Sequence, residues 1–511
     1  MSDWTGGYVA DIGYTHGYYA ELNPLRIKLA FLQAGYAFPD NGTACELGFG
    51  QGVSINIHGA ATTTKWFGTD FNPAQAGFAQ DLAQSCANGA HLFDEAFEAF
   101  CRRDDLPEFD YIGLHGIWSW ISDQNRAVIV DFLRRKLKVG GVLYISYNTQ
   151  PGWAAMAPMR DLLTEHAEKM SPPGAGILPR VDAALQFAQR MLDTDAIYAK
   201  ANPIVKGRLA HIMGQDRSYL AHEYFNRDWL PMPFSRMASW LGDAKLSYAC
   251  SSHYPDLLDV INLTDDQKTL LAEIPDRMFR ETVRDFLTNQ QFRRDYWVRG
   301  ARSLSMLERV EAIRAQRVVM VTPLSEVTMK VAGVLGDADL QESLYQPVLR
   351  FLSDHRVHTV AQIEDATPKL QGGFASLMQI ILVLVGKNVL QPAQDKATVD
   401  AVAERVLKLN RRLCRHARSQ PASLALASAV TGGGILLSRV EQLFLLAREQ
   451  GAGESLAWAQ QVFATLREQG QNLIKDGKPI TDEQAQIDEL IAQAHAFREH
   501  KLPLLKALRV C

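Results

Sequence analysis

The run Glu46-Leu47-Gly48-Phe49-Gly50-Gln51-Gly52 constrains this chain more than any other stretch. It follows a short segment, residues 42–45, that can lead a buried strand, and it precedes an amphipathic stretch, residues 53–60. Strand, glycine-rich turn and helix start together form the ligand-binding unit of doubly wound α/β folds. The glycines permit positive φ and let a ligand approach the backbone, which a Cβ would block. The spacing E-x-G-x-G-x-G is not the G-x-G-x-x-G of a dinucleotide site, because Val53 stands where the third glycine would fall. No Lys-Ser/Thr follows, so a P-loop is excluded as well. The competing reading is a glycine-rich turn that binds nothing.

The β-α alternation continues beyond the turn. Residues 65–71 read as a second strand ending near Asp70, and Asn72-Pro73 starts a helix. Asp70 lies about 20 residues past the glycines, where such folds place the carboxylate that accepts ribose hydroxyls. Residues 90–94 are a third strand ending in Asp94, and residues 109–115 a fourth ending in His115. A helix is expected over 122–138, then a turn at Gly140-Gly141 and a fifth strand over 142–147. Ligands of these sheets bind outside the carboxyl ends of the strands, where Glu46, Asp70, Asp94 and His115 all fall. Any one of them could simply cap the next helix. Four in register point to a cofactor site.

The order Glu46 to Gly52, Asp70, Asp94, Phe109-Asp110-Tyr111-Ile112 and Leu137-Lys138-Val139-Gly140-Gly141 resembles the motif series of class I S-adenosylmethionine (AdoMet) methyltransferases. The resemblance implies that Gly48 and Gly50 line the methionine part of AdoMet, beside Glu46. It also implies that Asp70 takes the ribose hydroxyls and Asp94 the adenine amine. Tyr14, Tyr18, Phe71 and His115 would complete the cofactor wall. Three further stretches, residues 14–24, 115–120 and 146–153, resemble bacterial methyltransferases with a methyltransferase regulatory domain. That group includes rickettsial protein lysine methyltransferases. Residues 219–226 and 289–295 resemble its regulatory segment.

At 511 residues the chain needs several cores. A net charge of −4 offers no basic field for nucleic acid. Six cysteines without C-x-x-C spacing suit a reducing cytoplasm, and the longest strongly apolar run, residues 380–385, is too short to span a membrane. The expected architecture is a Rossmann-like sheet in a discontinuous domain, residues 1–302. Its last two strands would come late, at 245–251 and 294–299, after a helical insertion over about 155–216 and around a helical segment at about 264–289. Helices are expected over 153–170, 181–198 and 202–213. Residues 303–395 suggest a winged-helix-like module for packing or protein recognition rather than DNA binding. Residues 396–511 suggest a helical domain, with Ala427 to Gly434 as a turn between helices and Arg411, Arg412, Arg415 and Arg418 on a solvated face.

Methyl transfer from a sulfonium is an in-line displacement that rewards alignment. A lysine acceptor must arrive neutral although its free pKa is about 10.4. A dry aromatic pocket disfavours its ammonium form and offers π faces to the sulfonium. The catalytic candidates are His115 and His222 for the proton and Trp118, Tyr147 and Trp153 for the pocket, with Asn148 in the loop between them. The leading expectation is an AdoMet-dependent methyltransferase acting on protein lysines. A small-molecule acceptor and a non-catalytic AdoMet sensor are the alternatives. The extra domains suit a macromolecular substrate or a homodimer.

Overall fold

The computed structural model describes residues 5, 7–9, 12, 13, 16–39, 42–172, 174–420, 424–475 and 477–511. Its centre is a seven-stranded sheet: β1 (Thr43–Leu47), β2 (Lys65–Thr69), β3 (His91–Phe93), β4 (Phe109–Leu114), β5 (Leu137–Asn148), β6 (Leu246–Ser251) and β7 (Phe292–Arg299). The order is β3-β2-β1-β4-β5-β7-β6. The first five strands run parallel, and β7 inserts antiparallel between β5 and β6. This is the doubly wound class I methyltransferase sheet, whose chain order reverses beside β1 and so opens a crevice there.

Local chemistry sets several of these elements. Asn72 caps the helix Pro73–Cys86 by accepting Ala74 N–H, with proline in the first turn. Ser122 caps Asp123–Lys136 in the same way. That helix stops at Lys136, short of the expected 138, because Leu137 already enters β5. The segment 137–141 pairs with β4 through a register shift between Phe109 and Tyr111, so Gly140-Gly141 lies within an irregular strand rather than in a turn before it. Gly140 has φ 82°.

Between β5 and β6 the chain forms helices at Ala157–Lys169, Ile177–Asp193, Ile197–Ala201, Ile204–Met213 and Arg217–Tyr224. Trp153 precedes the first of these rather than opening it. These helices close on their own core, which includes Met156, Leu163, Leu185, Leu209 and Leu220, and they cover one end of the sheet.

The rest of the chain packs onto the sheet rather than trailing from it. Residues 317–320, 358–359 and 390–392 form a three-stranded sheet beside the helices Glu342–Leu352, Val360–Ala366 and Gly373–Gly386. Residues 380–385 are buried there in a core continuous with Tyr111, Tyr144 and Tyr296 of the main sheet. Further on, Ala425–Ser428 and Gly433–Leu436 pair as an antiparallel hairpin. A strand therefore does precede the second glycine run, which is no helix–helix turn. Its glycines admit close neighbours: a Cβ on Gly433 would stand 2.6 Å from Tyr18 Oη. The hairpin and the long helix Lys396–Ser419 cover the helix Val53–Ala61, and all nine residues of that helix are buried. Arg411, Arg415 and Arg418 lie on a solvated face, as expected, in long ion pairs to Glu449 and Glu468, while Arg412 bridges to Asp81 at 2.7 Å. Among the described residues no helix is long and apolar enough to cross a membrane.

Candidate active site

The crevice lies at the carboxyl ends of β1, β2 and β4. Gly48, Gly50 and Gly52 all have positive φ (73°, 58° and 67°), a conformation that favours glycine. A Cβ on Gly48 would fall 2.4 Å from Ile117 Cδ1, and one on Gly52 2.4 Å from Ala79 Cβ. The loop is therefore seated between β4 and the helix after β2. Asp70 fixes it in turn. Oδ2 accepts Gly50 N–H at 2.9 Å and Oδ1 accepts Asn72 N–H at 3.0 Å. Burial pushes the Asp70 carboxyl up to about 6 against those two bonds.

Glu46 is 3% exposed, and its Oε2 has no hydrogen-bond partner among the described residues. Burial first, and the neighbouring Asp70 second, push its pKa up to about 8. On the other wall Tyr19 stacks on His115 with ring centroids 3.5 Å apart, and His115 Nδ1 lies 2.7 Å from Tyr144 Oη. Burial lowers His115 to about 4, so it is neutral at pH 7 and a weak proton acceptor. Gly116 N–H donates to Ser146 Oγ at 2.8 Å, which locks the end of β4 to β5. Trp120 Nε1–H donates to Glu223 O at 3.3 Å and so joins the crevice to the helical cap.

Of the expected residues, Glu46, Gly48, Gly50, Asp70, Phe71, His115 and His222 all line this crevice. His222 is buried, and burial lowers its pKa. The other expected residues lie elsewhere. Asp94 is exposed and off the wall; Glu95, Ala96 and Phe97 stand there instead. Tyr18 turns toward the glycine hairpin and His58, leaving Tyr19 at the crevice. Trp118 is wholly buried among Phe132, Leu133 and Trp240, while Trp120 faces the site. Tyr147 is buried beneath the sheet, where its hydroxyl donates to Asp295 Oδ2 at 3.0 Å. Trp153 packs in the cap against Tyr224 and Trp229, with Arg208 over its ring. Asn148 sits in the β5–β7 pairing, its N–H bonded to Ser119 Oγ. Tyr14 lies outside the described residues.

Tyr8, Tyr19, Phe97 and Asp228 also line the crevice without having been expected there, together with Trp120 from the aromatic stretch 115–120 and Glu223 from the segment 219–226. The Y-Y pair at 18–19 and the H-E pair at 222–223 were visible as clusters, but nothing in the sequence marked Tyr8. The result is a pocket with aromatic faces and several carboxylates, a combination that favours a cationic ligand.

A family model described as a predicted methyltransferase regulatory domain matches residues 216–299, from the last cap helix through β7. An uncharacterized protein from Synechocystis sp. is 37% identical over 512 residues, covering 99% of both chains. An uncharacterized protein from Rickettsia prowazekii is 26% identical over 294 residues, 55% of this chain and 51% of that one. Among solved structures, PKMT2 from Rickettsia typhi in complex with AdoHcy superposes with a TM-score of 0.68 at 17% identity, covering 95% of this chain and 98% of that one. With its sheet order and glycine loop the chain has the class I methyltransferase fold, it carries a segment matched as a methyltransferase regulatory domain, and it belongs to one family with the Synechocystis protein that it matches from end to end.

Proposed function

We propose that the crevice binds AdoMet and that the protein N-methylates lysine side chains of a protein acceptor. The observation that carries this is the set Glu46, Gly48, Gly50 and Asp70: a left-handed glycine loop held by one buried carboxylate, beside a second carboxylate with an unsatisfied oxygen. That set fits the group. The unpartnered Oε2 of Glu46 suits an ammonium donor, and an added Cβ on Gly48 would collide with Ile117. Asp70, already oriented by two backbone N–H groups, keeps lone pairs for the ribose hydroxyls. Residues 95–97, rather than Asp94, are assigned to the adenine end. The AdoHcy in the Rickettsia typhi structure supports the same donor. When bound, AdoMet supplies a methyl group carried on a positively charged sulfur.

Tyr8, Tyr19 and Trp120 close the acceptor side, with Glu223 and His222 contributed by the cap. Glu223 attracts the incoming lysine ammonium, and the aromatic walls then favour its neutral form by excluding water. His115, lowered to about 4 by burial, is too weak a base to take the lysine proton and positions Tyr19 by stacking, so the proton passes to solvent before the acceptor nitrogen enters the dry pocket. Residues 1–302 form the catalytic unit in this reading, with 303–395 and 396–511 as units packed behind it.

Incubation with labelled AdoMet and host lysate tests the acceptor. Label is expected in protein, on lysine after hydrolysis; label only in small molecules would replace this acceptor by a metabolite. A second expected result concerns pH. Glu46 must be ionised to hold an ammonium, yet in the free protein it keeps its proton up to about pH 8. The affinity ratio of wild type to Glu46→Gln should therefore rise with pH between about 6 and 7.5, approaching tenfold per unit, before the ligand's own α-amino group titrates near 7.7–8.0. Calorimetry at three pH values measures it, and a flat ratio would remove Glu46 from the ammonium site.

A further inference from the structure

A second cavity lies wholly within the segment from Tyr248 to Val334 and shares no lining residue with the crevice. It sits between the ends of β6 and β7 and the helices Asp259–Asn262 and Arg277–Thr288, and encloses about 200 Å³. Its wall is unusually charged. Asp256, Asp259, Glu281, Asp285 and Asp295 face Arg284, Arg293 and Arg294. Two of the arginines are already committed: Arg284 to Asp259 at 2.6 Å, and Arg294 to Glu21, which lies outside the cavity, at 2.8 Å. Arg293 alone then serves Glu281 (3.0 Å), Asp285 (2.6 Å) and Asp295 (2.8 Å). Asp256 takes a hydrogen bond from the neutral Ser251 hydroxyl. Carboxylates thus outnumber the cations left to meet them.

Asp285 shows what is missing. It is 2% exposed, and its Oδ1 is bonded to Arg293 Nη1. Its Oδ2 is buried and has no hydrogen-bond partner among the described residues. A buried acceptor left unsatisfied costs about 1–3 kcal/mol, more when it is charged. A single water would satisfy that oxygen but, once Asp285 is ionised, leave the excess negative charge in place. Among the described residues no three His, Cys, Asp or Glu are grouped to hold a metal ion. What the cavity lacks is positive charge presented through N–H donors.

We infer that this cavity binds a small organic cation bearing a primary ammonium or guanidinium group, with Asp285 Oδ2, Glu281 and Asp256 as its acceptors. The site stands apart from the methyl-transfer crevice and does not rest on its acceptor. Burial pushes the Asp285 carboxyl up to about 7, and an arriving cation would draw it back toward the ionised form.

Calorimetric titration of the full-length protein with putrescine, spermidine and agmatine, with inorganic phosphate as the probe of opposite sign, tests this site. At least one of the three amines should bind saturably, one per chain. Its affinity should fall at least tenfold in Asp285→Asn and in Leu257→Trp, which fills the cavity without changing a charge. It should change less than twofold in Glu223→Gln, which alters the other crevice. Should Asp285→Asn fail to fold, Leu257→Trp decides. Heat of dilution alone from all three amines would overturn the inference. So would full affinity in Leu257→Trp, loss confined to Glu223→Gln, or saturable binding of phosphate in place of the amines.

Discussion

Asp70→Ala should lower AdoMet affinity by at least about 100-fold, or about 2.7 kcal/mol. Two losses add in this variant. The ribose hydroxyls lose a charged acceptor, and each such hydrogen bond contributes about 1.5–3 kcal/mol. The glycine loop also loses its anchor, because Asp70 Oδ2 is the acceptor that holds Gly50 N–H at 2.9 Å. Asp70→Asn separates the two. An amide keeps one acceptor oxygen and nearly the same volume, so it can hold either the loop or a hydroxyl, and its affinity should fall between wild type and alanine. Calorimetric titration with AdoMet reads both variants, while circular dichroism confirms the fold. An alanine variant within threefold of wild type would take the ribose away from Asp70 and leave the crevice without its central contact.

What could be read in the chain, and what could not, follows from the reach of each signal. The glycine loop, Asp70 and the strands to β5 were legible because each depends on residues within a few positions of one another. The late strands were legible too, since aromatic and β-branched residues at 246–251 and 292–299 have no helical period. The direction of a side chain at a strand end was not. Successive residues of a strand face opposite sides. In β5, Tyr144 and Ser146 turn toward His115 and Gly116, so Tyr147 must face the other way, toward Asp295. A tight helical turn likewise sends Trp118 into the core and Trp120 to the crevice, and an irregular segment parts Tyr18 from Tyr19. Trp153 belongs to a cap whose core no local pattern could place. The hairpin at 425–436 was missed because its glycines pack against Tyr18 and Asn23, some 400 residues earlier in the chain.

Arg293→Met should destabilise the fold by about 3–5 kcal/mol at pH 8, the usual result of removing one partner from a buried ionic group. Burial opposes a charge on Arg293, but Asp295 and Asp285 beside it hold the guanidinium firmly protonated. Its plane also lies 4.3 Å from the Phe234 ring centroid. Methionine preserves most of the volume and leaves Asp285, Asp295 and Glu281 without their shared cation. Asp285 and Asp295, already raised by burial, then have folded-state pKa values raised still further above the unfolded values near 4. A group raised in the folded state contributes stability below its unfolded pKa and loses it as pH rises through the folded pKa. In wild type, Asp285 already loses its contribution between about pH 4 and its folded value of about 7. In the variant the loss extends to higher pH, so the gap from wild type should widen from pH 5 to pH 8. Urea midpoints at the two pH values, compared at equal slope, measure it. A gap below about 1 kcal/mol at pH 8, or one that does not change with pH, would mean that water rather than Arg293 balances these carboxylates. Because β7 carries Arg293 and pairs with β5 from Val142 to Asn148, the same variant should also loosen the strand whose Ser146 holds Gly116 at the crevice. AdoMet affinity should therefore fall along with stability, although Arg293 does not line the AdoMet crevice.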